Sequence, residues 1–455
     1  MSGGKQMNAF QIIIEPFQIK RVVRLEIKKQ MNEHSRAVVC GLIEEEDAEK
    51  IQNQKSLYEK VRIVLKEAGA KEEILFQGVV NEISIEMNGM FYYLQITAIS
   101  FTWLLDKEMH FRTFQKRNQT YNELVQEVID PYEKVSFICR NKDKVLGDMQ
   151  VQYNETDWKF LKRLVTHLQS SLIVEERLEK AAFYFGLVDK KKEVEVTNCK
   201  CKIHDYVTST GICREYEIEC DVVAAVGDQI LYHKKPLCVY SAEIVLVDGE
   251  LRYFYRLKAV EQCKEEPYPN EFLAGISFGG YVTEVENEKL QISIQGDEGR
   301  QVRKRWFDYA TIYASSEISI WYCMPEKDDN IYLYFPDENI NHAYVANAVH
   351  HKEYEDLVDT EHKCFRTSHD KEIRFSPTQI KITNHKGLSI TLDDEKGIQI
   401  KSNKGISLSA EEAVNIHSDG VVVMEGNSAV LLRQSNNMIV IRDGIREHGI
   451  RIERQ

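Results

Sequence analysis

Gly275-Ile276-Ser277-Phe278-Gly279 has the spacing of a nucleophile elbow, in which a sharp turn between a strand and a helix presents a serine. The residues that follow, Tyr281–Val285, alternate like a strand, and a proline-bearing stretch lies upstream. The segment therefore reads as the opening of a β-barrel and not as a hydrolase site. Cys199-Lys200-Cys201-Lys202-Ile203-His204, with Cys213 or Cys220 as a fourth donor, could ligate a metal. Zinc sites favour C-x₂₋₄-C pairs. A C-x-C pair on a strand turns both thiols to one side, and the plainer reading is small residues in a β-rich fold. His350-His351 beside Glu353 reads as an exposed pair. His417 follows an apolar position and should point outward. His448 lies near the C-terminal end and could hold an ion on an axis if three copies converge there. The chain has no H-E-x-x-H, P-loop or dinucleotide fingerprint, and Asp393-Asp394 reads as a solvated corner. No catalytic residue and no cofactor are expected, apart from such an axial ion.

The chain has 455 residues and a mass of 52.9 kDa, enough for about two to four domains. Acidic side chains outnumber basic ones, 72 to 59, opposite to the balance of a phosphate-binding surface. Ten irregularly spaced cysteines fit reduced thiols better than a disulfide scaffold. No run approaches the roughly 18–20 apolar residues of a membrane span. The N-terminus leads into no signal-peptide h-region, so classical secretion is not expected.

The last 90 residues differ in kind. After Phe365 only one aromatic residue of the Phe, Tyr and Trp class occurs, Phe375, and cysteine stops at Cys364. Apolar pairs recur at Ile390/Leu392, Ile398/Ile400, Ile406/Leu408, Val414/Ile416, Val422/Met424, Val430/Leu432 and Met438/Val440, each eight residues after the last. Spacing of two within a pair is strand periodicity, and the Ser/Asn/Asp/Gly residues between pairs are turn formers. A strand with two inward apolar residues cannot bury them alone. Three chains, each supplying one face of a triangular prism, would bury a continuous column of these fourteen residues. An antiparallel meander is the competing arrangement. It rarely keeps an unbroken period for so long, so the intertwined triple-stranded β-helix is favoured.

Two connectors divide the remainder. Residues 264–270 carry two prolines among charges, and residues 351–370 are polar and acidic. Between them, residues 271–350 hold strand-like runs at Tyr281–Val285, Leu290–Ile294, Ile318–Cys323, Ile331–Phe335 and Ala343–Val349, which fit a small barrel of the OB type. Such barrels often bind nucleic acid, but residues 271–351 carry thirteen Asp/Glu against six Lys/Arg, a field that repels phosphate. Arg303-Lys304-Arg305 reads as a solvated loop or a subunit contact. Residues 1–263 mix strand patterns with two helices. One starts at the capping box Thr120-Tyr121-Asn122-Glu123, and the other starts near Thr156-Asp157 with Trp158, Leu161, Leu164, Val165 and Leu168 on one face. The fold class expected is mainly β with some α: an α+β region of β-barrels (1–263), a linker (264–270), an OB-type barrel (271–350), a connector (351–370) and an octad-repeat spike (371–455).

The segment Val151-Gln152-Tyr153-Asn154-Glu155-Thr156-Asp157-Trp158-Lys159-Phe160-Leu161-Lys162-Arg163-Leu164 resembles the "QY-x-E-(T/S)-D-x-x-F-L-x-R-L" segment of the VgrG and phage late-control D family. Phe76-Gln77-Gly78-Val79-Val80, Tyr93-Leu94-Gln95-Ile96-Thr97-Ala98, Trp103-Leu104-Leu105 and Phe111-Arg112-Thr113-Phe114-Gln115 are similar to the family's hub strands. Pro325-Glu326-Lys327-Asp328-Asp329 resembles its "P-x-x-G-D", with Asp328 in place of glycine. Ala343–Val349 resembles a barrel strand without its proline, and Glu372-Ile373-Arg374-Phe375 resembles the approach to its spike. The resemblance implies a structural, non-catalytic, homotrimeric hub and spike at the tip of a contractile injection machine. The system could be a phage tail-like particle, a tailocin, an extracellular injection system or type VI secretion. The hub would adapt a three-fold spike to a six-fold tube. Its partners would be the inner tube and baseplate proteins, a PAAR-like tip protein or effector, and the target cell envelope, with no nucleic acid. It would be assembled in a bacterial cytoplasm and delivered on contraction. About 20 residues between barrel and spike leave no room for a lysozyme domain, and none is expected after the octads. Two other readings remain: an OB-containing adaptor for nucleic acid or carbohydrate, and an envelope-degrading enzyme delivered by a spike.

Overall fold

Two copies of one four-strand unit stand side by side in the largest sheet of the computed structural model. In each copy, two hairpins are joined by pairing of their second strands. The first uses Arg21–Gln30 with Arg36–Ile43 and Glu73–Asn88 with Phe91–Ser100. The second uses Lys200–Thr208 with Gly211–Cys220 and Lys235–Val247 with Glu250–Lys258. Arg36–Ile43 pairs with Phe91–Ser100 in one, and Gly211–Cys220 with Glu250–Lys258 in the other. Arg21–Gln30 then pairs with Lys235–Val247, Ile27 opposite Ile244, so the strand order repeats in the same sense across the seam. Alternation drives this arrangement: Leu25, Ile27, Val39, Leu94, Ile96, Ile218, Ile244 and Tyr255 face one shared core, and polar side chains face the other way. The structure describes residues 10–53, 60–67, 71–116, 118–187, 190–196, 199–208, 211–221, 223–299, 305–314, 321–349, 360–449 and 451.

Gly78 explains one of the family-like motifs. A Cβ there would lie 2.2 Å from the carbonyl oxygen of Ile99 on the neighbouring strand. Only glycine lets the two backbones approach this closely.

Among the described residues three α-helices accompany the sheet: α1 (Glu45–Asn53), α2 (Tyr121–Ile129) and α3 (Asp157–Thr166). The capping box forms as expected. Thr120 Oγ1 accepts from Glu123 N, and the Glu123 carboxylate accepts from Thr120 N. The apolar faces of α2 and α3 meet in a second core with Phe114, Phe183 and Phe185.

The strands Ser277–Glu286, Lys289–Ile294, Phe307–Asp308, Asn330–Tyr334 and Tyr344–Val349 form a five-stranded antiparallel sheet. A parallel bridge between Tyr309 and Val345 brings its two ends together into a small barrel. The strand expected over 318–323 falls partly outside the described residues. Its described part, Trp321–Cys323, is exposed loop and not strand. The barrel belongs to the same compact unit as the large sheet, Met1–His351. The reason is a dense contact between them, described below.

Lys352–Gln455 is a second unit. Its strands Lys363–Arg366, Glu372–Ser376, Gln379–Thr383, Leu388–Asp393 and Gly397–Ser402 form an antiparallel meander. Val430–Gln434, Asn437–Ile441 and Ile445–His448 form another. Residues 403–429 carry no strand in the single chain. The four octads from Ile390 to Ile416 thus divide: two sit in hairpins and two do not pair at all.

Candidate functional site: a buried polar junction and an uncovered sheet face

The family-like segment 151–164 folds as a strand (Gln150–Thr156) running into α3, and most of its polar positions have a buried partner. Thr156 is the N-cap: its hydroxyl oxygen accepts from Lys159 N at 3.2 Å, and the hydroxyl donates to Asp106. Asp157 opens the helix fully buried, where a carboxylate also suits the helix dipole. It accepts from Arg112 Nη1 (2.7 Å), Gln152 Nε2 (2.8 Å) and Tyr132 Oη (2.7 Å). Burial first, and then the bond to Asp157, push the Tyr132 phenol well above its ordinary value. Arg163 is 2% exposed and meets Glu155 in a bidentate pair, both contacts at 2.7 Å, while its Nη2 also donates to Val151 O. Trp158 Nε1 donates to Asn32 O at 3.2 Å, and Asn32 itself (φ +64°) binds Leu172 N through Oδ1. One short segment therefore pins the turn after Arg21–Gln30, the ribbon Met109–Phe114 and the helical core together.

The same segment holds the small barrel. Phe111, Tyr153 and Phe278 form a ring cluster with centroids 4.5–5.4 Å apart. The barrel loop at Asp297–Gly299 reaches back: Asp297 accepts from Thr113 N (2.8 Å) and from the Thr113 hydroxyl, and Glu298 N donates to Phe111 O (3.0 Å). Asn270 Nδ2 donates to Tyr153 O at 2.9 Å. Asp297 and Glu298 were not legible as docking residues, because nothing in their spacing marks a loop whose partner lies some 185 positions earlier in the chain.

His167 caps the C-terminus of α3, a place where a protonated imidazole is ordinarily favoured. Here burial first, and then the Arg163 and Lys144 charges, lower its pKa from 6.5 to about 4. The folded state keeps it neutral and the unfolded state protonates it near 6.5, so stability falls as pH drops from about 6.5 to about 4. His167→Gln should flatten that limb of a stability-against-pH curve measured by urea unfolding. An unchanged limb would show that other groups carry the acid sensitivity.

The sequence-derived metal and nucleophile candidates come apart in the fold. Ser277 starts a strand that pairs with Asn330–Tyr334, so the turn before it is not followed by a helix. On Lys200–Thr208, Cys201 pairs with Ile218, whereas His204 pairs with Glu215 and lies 3.5 Å from Glu217. Strand alternation places Cys199, Cys201 and Cys220 toward the core and His204 and Cys213 on the opposite face, so no four-donor set forms. Among the described residues no group of three His, Cys, Asp or Glu side chains could hold a metal. His350, His351 and Glu353 lie outside the described residues. His417 is exposed beside Asp419, and Asp393 caps its own turn by accepting from Glu395 N and Lys396 N. His448 shares its hairpin face with Arg433, Met438 and Arg446. Two guanidiniums beside each imidazole do not fit a cation site.

The phage tail baseplate hub (GPD) family model matches residues 31–168, which run from the turn at Asn32 to the end of α3. No curated protein sequence matches. Among solved structures, the E. coli c3393 protein, described as a type VI secretion component with structural similarity to the bacteriophage T4 tail proteins gp27 and gp5, is 12% identical. It has a TM-score of 0.54 and covers 75% of this chain and 100% of that one. A chain of the Francisella PdpA–VgrG complex is 10% identical with a TM-score of 0.58, covering 86% of this chain and 87% of the other. The chain has the VgrG-like hub-and-spike fold.

The spike sheet has one apolar face, and no described residue of its own unit covers it. The register puts Phe365 opposite Ile373, Phe375 opposite Ile380, Ile382 opposite Ile390, and Leu392 opposite Ile398, all on one side. These side chains are 38–72% exposed, whereas Arg374, Lys381 and Thr391 on the polar side are less exposed than that face. A groove of about 830 Å³ runs along the apolar side. All four hydrophobic cores of the described residues lie before Leu388, in the hub and barrel, and none lies in the spike. Ile390, Leu392, Ile398 and Ile400 share the face that the octad count assigns to them. Ile406, Leu408, Val414, Ile416, Val422 and Met424 are exposed in the unpaired stretch. Phe365, Ile373, Phe375, Ile380 and Ile382 extend the face N-terminally. Their alternation was visible, but their spacing is not eight, so the octad count passed over them. In the last hairpin a two-residue turn at Ser435-Asn436 pairs Val430 with Ile441 and Leu432 with Ile439. In the single chain Met438 and Val440 therefore lie on the opposite face from Val430 and Leu432.

Proposed function

We propose that three copies of this chain form the hub and central spike of a contractile injection particle, with the octad faces buried against one another. The observation that carries this is the uncovered apolar face of a spike with no core among its described residues. Exposed contiguous apolar surface of this extent marks an interface. Three-fold closure offers each chain two identical neighbours. The unpaired residues 403–429 fit the same reading, since their strand hydrogen bonds would come from neighbouring chains. The tandem hub units support the role of adaptor: three chains carrying two units each present six alike, the number a six-fold tube needs. Among the described residues of one chain, Lys200–Thr208 and the Glu82–Asn88 half of its strand each have a single strand partner, and their pairing between neighbours would continue the order around a ring. Inner tube and baseplate proteins, a tip protein or effector on the spike, and the target envelope are the partners this role requires. The particle class is left at contractile injection systems as a group, and the role is mechanical, not catalytic.

Light scattering on the purified chain, beside a truncation ending at Asp370, tests this. The expected mass is three times 52.9 kDa, about 159 kDa, with resistance to SDS and heat that disappears with the octads. A stable 52.9 kDa monomer would overturn both the prism and the ring.

A further inference from the structure

The barrel carries an open groove of about 740 Å³, within the roughly 300–1,000 Å³ range of ligand clefts, lined by none of the residues of the hub contact described above. Its floor is apolar: Val285, 40% exposed, with Trp306, Met324 and Pro325. Among the described residues its rim is acidic, with Glu284, Glu286 and Glu326 against one base, Lys327. A β-bulge shapes it. The register of Ser277–Glu286 against Lys289–Ile294 slips between Val282 and Glu284, leaving Thr283 as the extra residue. Bulges of this kind re-aim side chains beside binding sites. Thr283 lines the groove, and its Oγ1 is buried with no hydrogen-bond partner among the described residues.

We infer that this groove binds a cationic polypeptide segment, with Lys or Arg side chains against the carboxylate rim and apolar side chains on the floor. Three features select that occupant. The carboxylates attract basic groups and repel phosphate, and the whole barrel carries the same sign, thirteen acidic to six basic side chains over 271–351. Trp306 presents an indole to the groove, and a guanidinium or ammonium over an aromatic face gains a further attraction. Val285, 40% exposed, offers an apolar seat to the aliphatic side chains of such a segment. The groove lies entirely within the hub-and-barrel unit, so the inference stands whether or not the spike trimerises.

Fluorescence anisotropy on the full chain tests it with three labelled probes: a peptide alternating Arg with Leu, the same peptide with Glu for Arg, and a single-stranded oligonucleotide of similar length. The Arg/Leu peptide is expected to bind at least tenfold more tightly than the Glu/Leu peptide, and more weakly as salt rises. Glu284→Gln with Glu286→Gln should weaken it about tenfold. Glu46→Gln with Glu49→Gln, the same change in net charge on exposed positions of α1, should leave it unchanged. No binding of the Arg/Leu peptide, equal loss in both double variants, or tighter binding of the oligonucleotide would each overturn the assignment.

Discussion

Ile390→Asp combined with Ile400→Asp will leave a 52.9 kDa chain in solution where the proposed assembly of the native chain has about three times that mass. The two residues are direct cross-strand partners on the apolar face, 40% and 54% exposed in the single chain. Full burial of an isoleucine is worth about 1.5–3 kcal/mol, and a trimer buries six of them at this level. Asp in their place reverses the sign, since each buried carboxylate costs several kcal/mol and two like charges also face each other across the strands. The matched control is Thr391→Asp with Gln399→Asp, the neighbouring pair on the polar face. It introduces the same charges at the same depth in the sheet and should keep the trimer. Native mass spectrometry reads both. If the two doubles behave alike, the apolar face is not the contact.

Glu155→Ala should lower the stability of the hub-and-barrel unit by about 3–5 kcal/mol, because it strands the Arg163 guanidinium in a site 2% exposed. The loss reflects an uncompensated buried charge more than the net worth of the pair. Replacing both partners, Glu155→Leu with Arg163→Met, should therefore recover most of it, since a buried pair and a well-packed apolar pair are often near balance. Urea unfolding of the two singles and the double closes the cycle. A single-variant loss below about 1 kcal/mol, the level of an exposed pair, would mean that solvent reaches Arg163. The same experiment asks what the family-like segment is for. Asp157, Thr156 and Trp158 bind hub strands and helical core, and Tyr153 binds the barrel, so the segment fastens these parts to one another.

The segments that were legible in advance are those whose signal is local. The capping box at Thr120, the start of α3 at Thr156-Asp157 and the alternating runs of the hub depend on residues within one turn or one strand of each other. The octads depended only on counting. The candidate metal ligands failed for an equally local reason that was overlooked: Cys201 and His204 are three apart on a strand, so they face opposite sides. The run over 318–323 was read as a strand from its apolar content, yet Trp321 and Tyr322 are 53% and 62% exposed. Residues 318–320 lie outside the described residues, and the described end keeps a backbone bond from Trp321 N to Tyr313 O.

Legible from the sequence were the strand and helix periodicities, an excess of acidic over basic side chains, and a C-terminal repeat too short to bury its own apolar pairs. Each of these follows from residue types a few positions apart. Only the tertiary structure decided what those residues meet. Asp157 meets Arg112 across 45 positions, Thr113 meets Asp297 across 184, and the two hub units join at Ile27 and Ile244. Such contacts depend on chain closure over long separations, and no spacing rule encodes them. The register of the spike sheet is likewise set by turn lengths, which decide whether an apolar pair lands on the shared face or the opposite one.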